Sequence, residues 1–395
     1  MAQICLVRNE SKRGMSKTRE ATNRFWRWWG GLLPLGLAFG PLQSSRADDH
    51  FDYRYEEYKE DNHRMRIETH SADFEQQLLD SVTARGELVY DGISGATPTG
   101  TYRISPTSGL IRTVPLHDIR RAENVDLDWR LGNNTLTPGF AYSKESDYES
   151  YGVSLNDALD FNQKNTTLLL GGSHDFDAVQ RNGNPFPRAQ AKDASEFLIG
   201  VSQLLTPKTV FAANFTLGYE SGYLSDPYRQ TEFVYPLHFL GVVRYDNRPR
   251  VRDKEVFLTS ITQYVEPLHA SVEGSYRFYH DSYDVFAHAV MLGWHQWLGE
   301  RVMLEPLARF YEQGSAFFYA PIFHADPASV EYYSADYRLS QFYSVDLGLQ
   351  GTVLINRHAR LTAGYHRYGM HGLDHTSPAM YPRADISTAG FSILW

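Results

Sequence analysis

At residues 387–395 the chain reads as one extended segment with two unlike faces. Ala389, Phe391, Ile393 and Trp395 lie on one face, and Thr388, Gly390 and Ser392 on the other. The same period of two recurs upstream. Tyr343, Val345, Leu347 and Leu349 alternate with Ser344, Asp346, Gly348 and Gln350; Phe211, Ala213, Phe215 and Leu217 alternate with Ala212, Asn214, Thr216 and Gly218. Leu127, Trp129 and Leu131 oppose Asp126, Asp128 and Arg130, and similar segments run from 136 to 142 and from 151 to 156. Alternation over segments of about ten residues is weak evidence singly, but repeated along a chain it is the signature of a transmembrane β-barrel. Segments 254–265 and 164–174 are ambiguous in this respect.

The connections alternate too. Short turns fall at Gly132-Asn133-Asn134, Thr206-Pro207-Lys208, Glu266-Pro267-Leu268, Gly299-Glu300 and Asn356-Arg357-His358. Longer polar segments occupy 92–118, 175–193, 221–252, 314–339 and 371–384. Short turns at one end and long loops at the other predict an all-β, antiparallel up-and-down barrel of about sixteen strands over 48–395. A sandwich would need Greek-key crossings, and a propeller would show a repeat of about forty to fifty residues, which is not found. In a soluble protein, the last strand would leave an apolar edge of the kind natural proteins avoid. Phe391, Ile393 and the terminal Trp395 instead resemble the signal through which bacterial outer-membrane barrels meet their assembly machinery.

After residue 47 no run of eighteen apolar residues occurs, which excludes a helical membrane protein. Ahead of that point, Lys17, Arg19, Arg24 and Arg27 form a basic leader. Residues 28–42 form an apolar stretch broken by Pro34, and Ser45-Arg46-Ala47 ends it with small residues. This is the layout of a cleaved secretory signal, with Met15 as its start and residues 1–14 as an upstream extension. The one cysteine, Cys5, falls within the removed part, so no disulfide or thiolate site is expected. Residues 48–395 keep 30 basic and 45 acidic residues, a balance of −15 that argues against nucleic-acid binding.

With the apolar face turned to lipid, the opposite face lines the lumen. That places Arg85, Glu87, Asp91, Asp126, Asp128, Arg130, Glu273, Arg277, Glu305, Arg309 and Asp346 inside. Glu273 with Arg277, and Glu305 with Arg309, share a strand face at a spacing of four. Mixed signs suggest a lattice that stiffens the wall rather than a selective ring, which ordinarily carries one sign.

Chemistry beyond this is sparse. His366, His371 and His375, with Met370 among them, gather near the last loop, but their spacing matches no ligand pattern, and neither a metal nor a cofactor is expected. His288 lies on a strand beside Phe286, Val290 and Leu292. It is the one candidate base for a lipid hydrolase, with no lipid-facing serine evident to serve as nucleophile. The stretch Gly92-Ile93-Ser94-Gly95-Ala96-Thr97-Pro98-Thr99-Gly100 lacks the Gly-Lys-Ser/Thr ending of a phosphate loop and reads as a tight turn.

Four segments resemble those of a large bacterial family of outer-membrane proteins classed only as a domain of unknown function. They are Tyr90-Asp91-Gly92-Ile93-Ser94-Gly95-Ala96-Thr97-Pro98, Lys164-Asn165-Thr166-Thr167-Leu168, Leu204-Leu205-Thr206-Pro207 and Ser221-Gly222-Tyr223-Leu224-Ser225-Asp226-Pro227-Tyr228. The resemblance runs from about His50 to Trp395. Ile93 and Thr97 stand where Val and Ser are usual, which leaves the turn intact. It implies an outer-membrane barrel of this size, no catalytic residues, and a small lipoprotein or redox protein as a partner. Within these motifs Gly95 and Gly222 read as backbone-permissive loop anchors, with Asp91, Ser94 and Asp226 bonding nearby backbone.

The resulting expectation is an outer-membrane barrel with both termini in the periplasm, a porin-like channel or transporter for small solutes. The alternatives are a non-conducting barrel that houses a lipoprotein or redox partner and, less favoured, a lipid-modifying enzyme.

Overall fold

A computed structural model describes residues 49–100, 112–180, 189–235, 238–374 and 378–395. The expected signal at 1–47, and His375, lie outside the described residues. The wall consists of β1 (His50–Glu60), β2 (Met65–Leu79), β3 (Val82–Pro98), β4 (Thr113–Leu131), β5 (Asn134–Lys144), β6 (Tyr148–Phe161), β7 (Thr166–Val179), β8 (Gln190–Thr206) and β9 (Thr209–Gly222), and continues with β12 (Val251–Val265), β13 (Ala270–Asp281), β14 (Phe286–Leu298), β15 (Val302–Gln313), β16 (Phe342–Asn356), β17 (Ala359–Gly372) and β18 (Arg383–Leu394). Every neighbour pair is antiparallel, and β18 returns to β1, so these sixteen strands close on themselves. A separate hairpin, β10 (Gln230–Tyr235) and β11 (His238–Tyr245), lies between β9 and β12. No helix among the described residues is long and apolar enough to cross a membrane.

The closing seam explains the alternation at the end of the chain. Phe391 opposes Tyr53 and Ile393 opposes Phe51 across β18 and β1, and the Trp395 amide donates to the Asp49 carbonyl at 3.0 Å. Phe391, Ile393 and Trp395 all face outward, where they join an exposed apolar surface that includes Trp129, Leu155, Phe197, Leu292 and Leu347. Closure satisfies every strand edge, which an open sheet of this length would leave unpaired.

The two ends of the barrel differ as expected. One end holds seven short turns together with the described termini; the other holds the long loops and three short connections, at 61–64, 145–147 and 282–285. The strands bordering the loops run further than the sequence pattern suggested. Gly92 to Pro98 belongs to β3 rather than to a turn, because its backbone pairs with β4 throughout and with β2 as far as Gly95. The 19-residue β4 is about 60 Å long at ~3.3 Å per residue. At a tilt of about 40° it outreaches an apolar band of ~25 Å. That length leaves room beyond the band for outward charges such as Arg121 and Glu123.

The ambiguous segments have a physical cause. In β12, Val256 and Leu258 point inward, and Leu258 packs on Ala289 and Met291, while Asp253 and Glu255 point outward. In β7, Leu169 turns inward onto Ala158 and Leu198. Two apolar clusters inside the wall blur the polar-in pattern.

Candidate functional site

The inward face of the wall is charged, and most of its charges are shielded. Asp91, Glu273, Glu305 and Asp346 are each 7 % exposed or less. Arg85 donates to Asp128 at 2.6 Å, and Asp128 also accepts from the Thr137 hydroxyl. Glu87 accepts from Asn124, while Asp126 and Arg130 follow the same inward parity on β4. Asp91 takes the Thr69 hydroxyl at 2.6 Å and Arg120 at 3.2 Å, so it belongs to the wall network and not to a backbone anchor.

A histidine joins the two glutamates. His295 bonds Glu305 at 2.7 Å and lies 3.8 Å from Glu273, which makes one chain across β13, β14 and β15. Arg277 and Arg309 lie against the Tyr279 and Tyr311 rings. A further knot joins Lys254 to Glu196 at 3.2 Å and to Glu220 at 3.1 Å, with the lysine 3 % exposed. A buried ammonium needs such paired partners to offset the loss of water.

Above this wall the long loops form a lid. The loop over 223–250, with its β10–β11 hairpin, meets the loop over 314–341. The Phe233 and Phe323 rings stack at 5.1 Å, the Val234 amide donates to the Phe323 carbonyl at 2.8 Å, and the Phe323 amide donates to the Glu232 carbonyl at 2.9 Å. Three aspartates and three arginines meet here. Arg338 reaches Asp226 and Asp336, both at 2.5 Å. Arg248 bonds Asp246 at 2.6 Å and Asp336 at 2.9 Å, and Arg229 sits 3.6 Å from Asp226 and 3.7 Å from Asp336. Burial works to raise the Asp336 and Asp226 carboxyls, but Arg338 and Arg229 overcome it and hold both below the usual carboxylate range. Burial wins at Asp246, which is raised although Arg248 pulls against it.

Ring position shows that the lid crosses the mouth. The Gln230 amide donates to the Thr99 carbonyl at 2.8 Å, and Arg229 donates to the Thr97 hydroxyl at 3.1 Å. Thr97 lies in the last stretch of β3 and Thr99 just beyond it, whereas residues 229 and 230 hang from β9, six positions away round a ring of sixteen. Loops rooted so far apart touch only by spanning the opening.

The loop anchors occupy the base of this lid. Gly95 has φ +138° and Gly222 φ +103°; a Cβ on either would sit 2.3–2.4 Å from a backbone oxygen, of Arg64 and Ala191 respectively. Ser94 donates to the Arg66 carbonyl at 3.4 Å, and Asp226 accepts the Tyr228 amide at 2.9 Å. At the opposite end, the Lys164–Leu168 and Leu204–Pro207 motifs meet where the Leu204 amide donates to the Asn165 carbonyl.

A family model described as "Protein of unknown function (DUF3570)" matches residues 37–385. The chain belongs to this family. Among curated proteins no sequence matches it. Solved structures similar to this DUF3570 chain include a bacterial polysaccharide outer membrane secretin, at 10% identity and TM-score 0.47, covering 88% of this chain and 98% of that one. The siderophore receptor PirA from Acinetobacter baumannii matches at 10% identity and TM-score 0.44, over 83% of this chain and 53% of the receptor. The CymD monoaromatic hydrocarbon channel matches at 7% identity and TM-score 0.40, over 89% of each chain. All three TM-scores lie below one half, so these proteins say nothing of what the DUF3570 chain carries.

The other candidate groups are placed as follows. His366 points inward and lies 3.3 Å from Asp346, whereas His371 points outward and stacks on Tyr343 at 5.0 Å. Opposite faces of one strand cannot share an ion. His288 accepts or donates a bond with the Tyr276 hydroxyl at 2.8 Å, in an outward aromatic cluster with Phe278. Sequence reading missed the lid arginines. Their signal was there: Asp246 and Asp336 each precede an arginine by two residues and Asp226 precedes one by three.

Proposed function

We propose that this DUF3570 barrel spans a bacterial outer membrane with its termini and short turns in the periplasm, and conducts small solutes only when its lid is released. The outward apolar belt supports the membrane setting, since an exposed apolar surface of that extent calls for lipid. The buried Asp–Arg cluster that ties loops across the mouth is the observation that carries the closed state. An excess of inward acids favours cations over anions once open. Phe391, Ile393 and Trp395 serve the assembly machinery in this reading, and His288 is an interfacial residue rather than a catalytic base.

A second reading has its own support. The shielded inward charges, with the clusters around Leu169 and Leu258, suit a packed interior that conducts nothing and holds a lipoprotein or redox partner at its surface. Planar-bilayer recording separates the two. Wild-type protein that is silent, with cation-selective steps on deletion of 314–341, supports the lidded conduit. Constant opening of the wild type overturns the lid, and silence of both proteins favours the partner-bound barrel, to be pursued by co-purification from native membranes.

A further inference from the structure

The turn joining β5 to β6 holds two buried carboxylates, Glu145 and Asp147. We propose that Asp118, Glu145 and Asp147 form a binding site for a hard divalent cation of the calcium class, at the seam between wall and lid. One carboxylate oxygen from each residue lies within 4.8 Å of the other two. An ion with oxygen ligands at about 2.3–2.6 Å fits among oxygens spaced this closely. An all-carboxylate donor set selects a hard cation over a softer transition metal.

Acidic side chains often crowd without a ligand, so the second observation matters more. Asp147 is 2 % exposed and the Glu145 side chain 7 %. Yet Asp147 Oδ1 and Glu145 Oε2, both shut off from solvent, accept no hydrogen bond. Buried carboxylate oxygens are satisfied by donors or by metal in folded proteins, and leaving two of them bare in one turn is costly. The Arg120 Nε lies 3.9 Å from Glu145 Oε1, beyond hydrogen-bond distance, and this arginine is shared with Asp91.

The ligands are held in place before any ion arrives. Asp118 Oδ1 accepts from the Ile119 and Ser146 amides at 2.7 and 3.1 Å, and its Oδ2 accepts the Ser146 hydroxyl at 2.8 Å, which leaves Oδ2 a free lone pair. The turn is pinned by the Glu145 amide on the Tyr148 carbonyl and the Gln180 amide on the Asp147 carbonyl, both at 2.7 Å. The other Asp147 oxygen accepts the hydroxyl of Tyr228, which belongs to the lid loop over 223–250. An ion on Asp147 thus fixes the carboxylate to which the lid is latched. This latch rests on the lid proposed above; the binding itself does not.

The test uses full barrel refolded without lipopolysaccharide, which would itself bind calcium, and stripped with a chelator. Calorimetry with CaCl2 should give one saturable site, tyrosine-sensitised Tb3+ luminescence should report the same site, and Asp147→Asn should weaken both at least tenfold. Heat-modifiable gel mobility shows that the variant has folded. Absence of saturable binding, or equal binding by wild type and folded Asp147→Asn, overturns the site. Calcium should also slow protease cleavage within 223–250; binding without protection overturns the latch alone. Neither readout depends on whether the barrel conducts.

Discussion

Arg338 and Asp226 meet at 2.5 Å although 112 residues separate them in the chain. The contact joins the loop that follows β15 to the loop that follows β9, and both partners also lie beside Asp336 or Arg229. Neither residue has a strand to hold it, so the lid is kept in shape by these charges and by the small core around Tyr283, Phe318 and Leu339.

Replacing Asp336 by alanine leaves Arg229, Arg248 and Arg338 short of one shared carboxylate. Breaking a buried ion pair on one side costs about 3–5 kcal/mol, and Asp336 is 1 % exposed. The lid should loosen while the wall stays intact. Limited proteolysis should then cut within 314–341 many times faster than in wild type, with heat-modifiable mobility unchanged. Equal cleavage rates would show that the aromatic core alone holds the lid.

Acid should release the lid only late. Asp336 and Asp226 are held below their unfolded values by Arg338 and Arg229. Their contribution is complete above the unfolded carboxylate value of about 3.9 and is lost as the pH falls through the lowered folded values. Asp246 runs the other way, since burial raises it and its charged form weakens the lid at higher pH. Bilayer recordings stepped from pH 8 to about 5 should therefore show no opening, and opening should begin only below about pH 4. Release between pH 7 and 5 would assign control to other groups.

Gly222 should resist any side chain. Its φ is +103°, and a Cβ would approach the Ala191 carbonyl oxygen to 2.4 Å and the Lys192 Cα to 3.0 Å. Backbone strain of this kind costs about 1–3 kcal/mol before the clash is counted. Gly222→Ala should lower the yield of refolded barrel and increase cleavage at 223–250, whereas Gly172→Ala, which meets only a contact at 3.9 Å, should do neither.

An arginine on the apolar belt tests the membrane setting. Leu155 is 53 % exposed on the outer face of β6. In a bilayer, Leu155→Arg should cost about 2–4 kcal/mol if the site lies near the midplane, read as a lower denaturant midpoint in liposomes. The same substitution at exposed Glu123, already charged, should leave the midpoint unchanged. Equal tolerance at both positions would argue that no lipid contacts residue 155.

By itself the sequence determined the wall. A period of two fixes which residues share a face, and a one-residue slip would turn every apolar side chain of a strand to the wrong side, so the register was written into residues such as Leu127, Trp129 and Leu131. The number of strands followed from the alternation of short and long connections. The faces of β7 and β12 were legible only in part, because Leu169 and Leu258 pack inside, where the pattern calls for polar groups. What lies on the lid was decided by tertiary structure alone. Loops carry no period, so nothing local tells Asp226 that its partner is Arg338, or Asp147 that Tyr228 will reach it from a loop rooted elsewhere on the ring. Closing the barrel brings those loop roots around one opening, and only then do charges distant in sequence become neighbours.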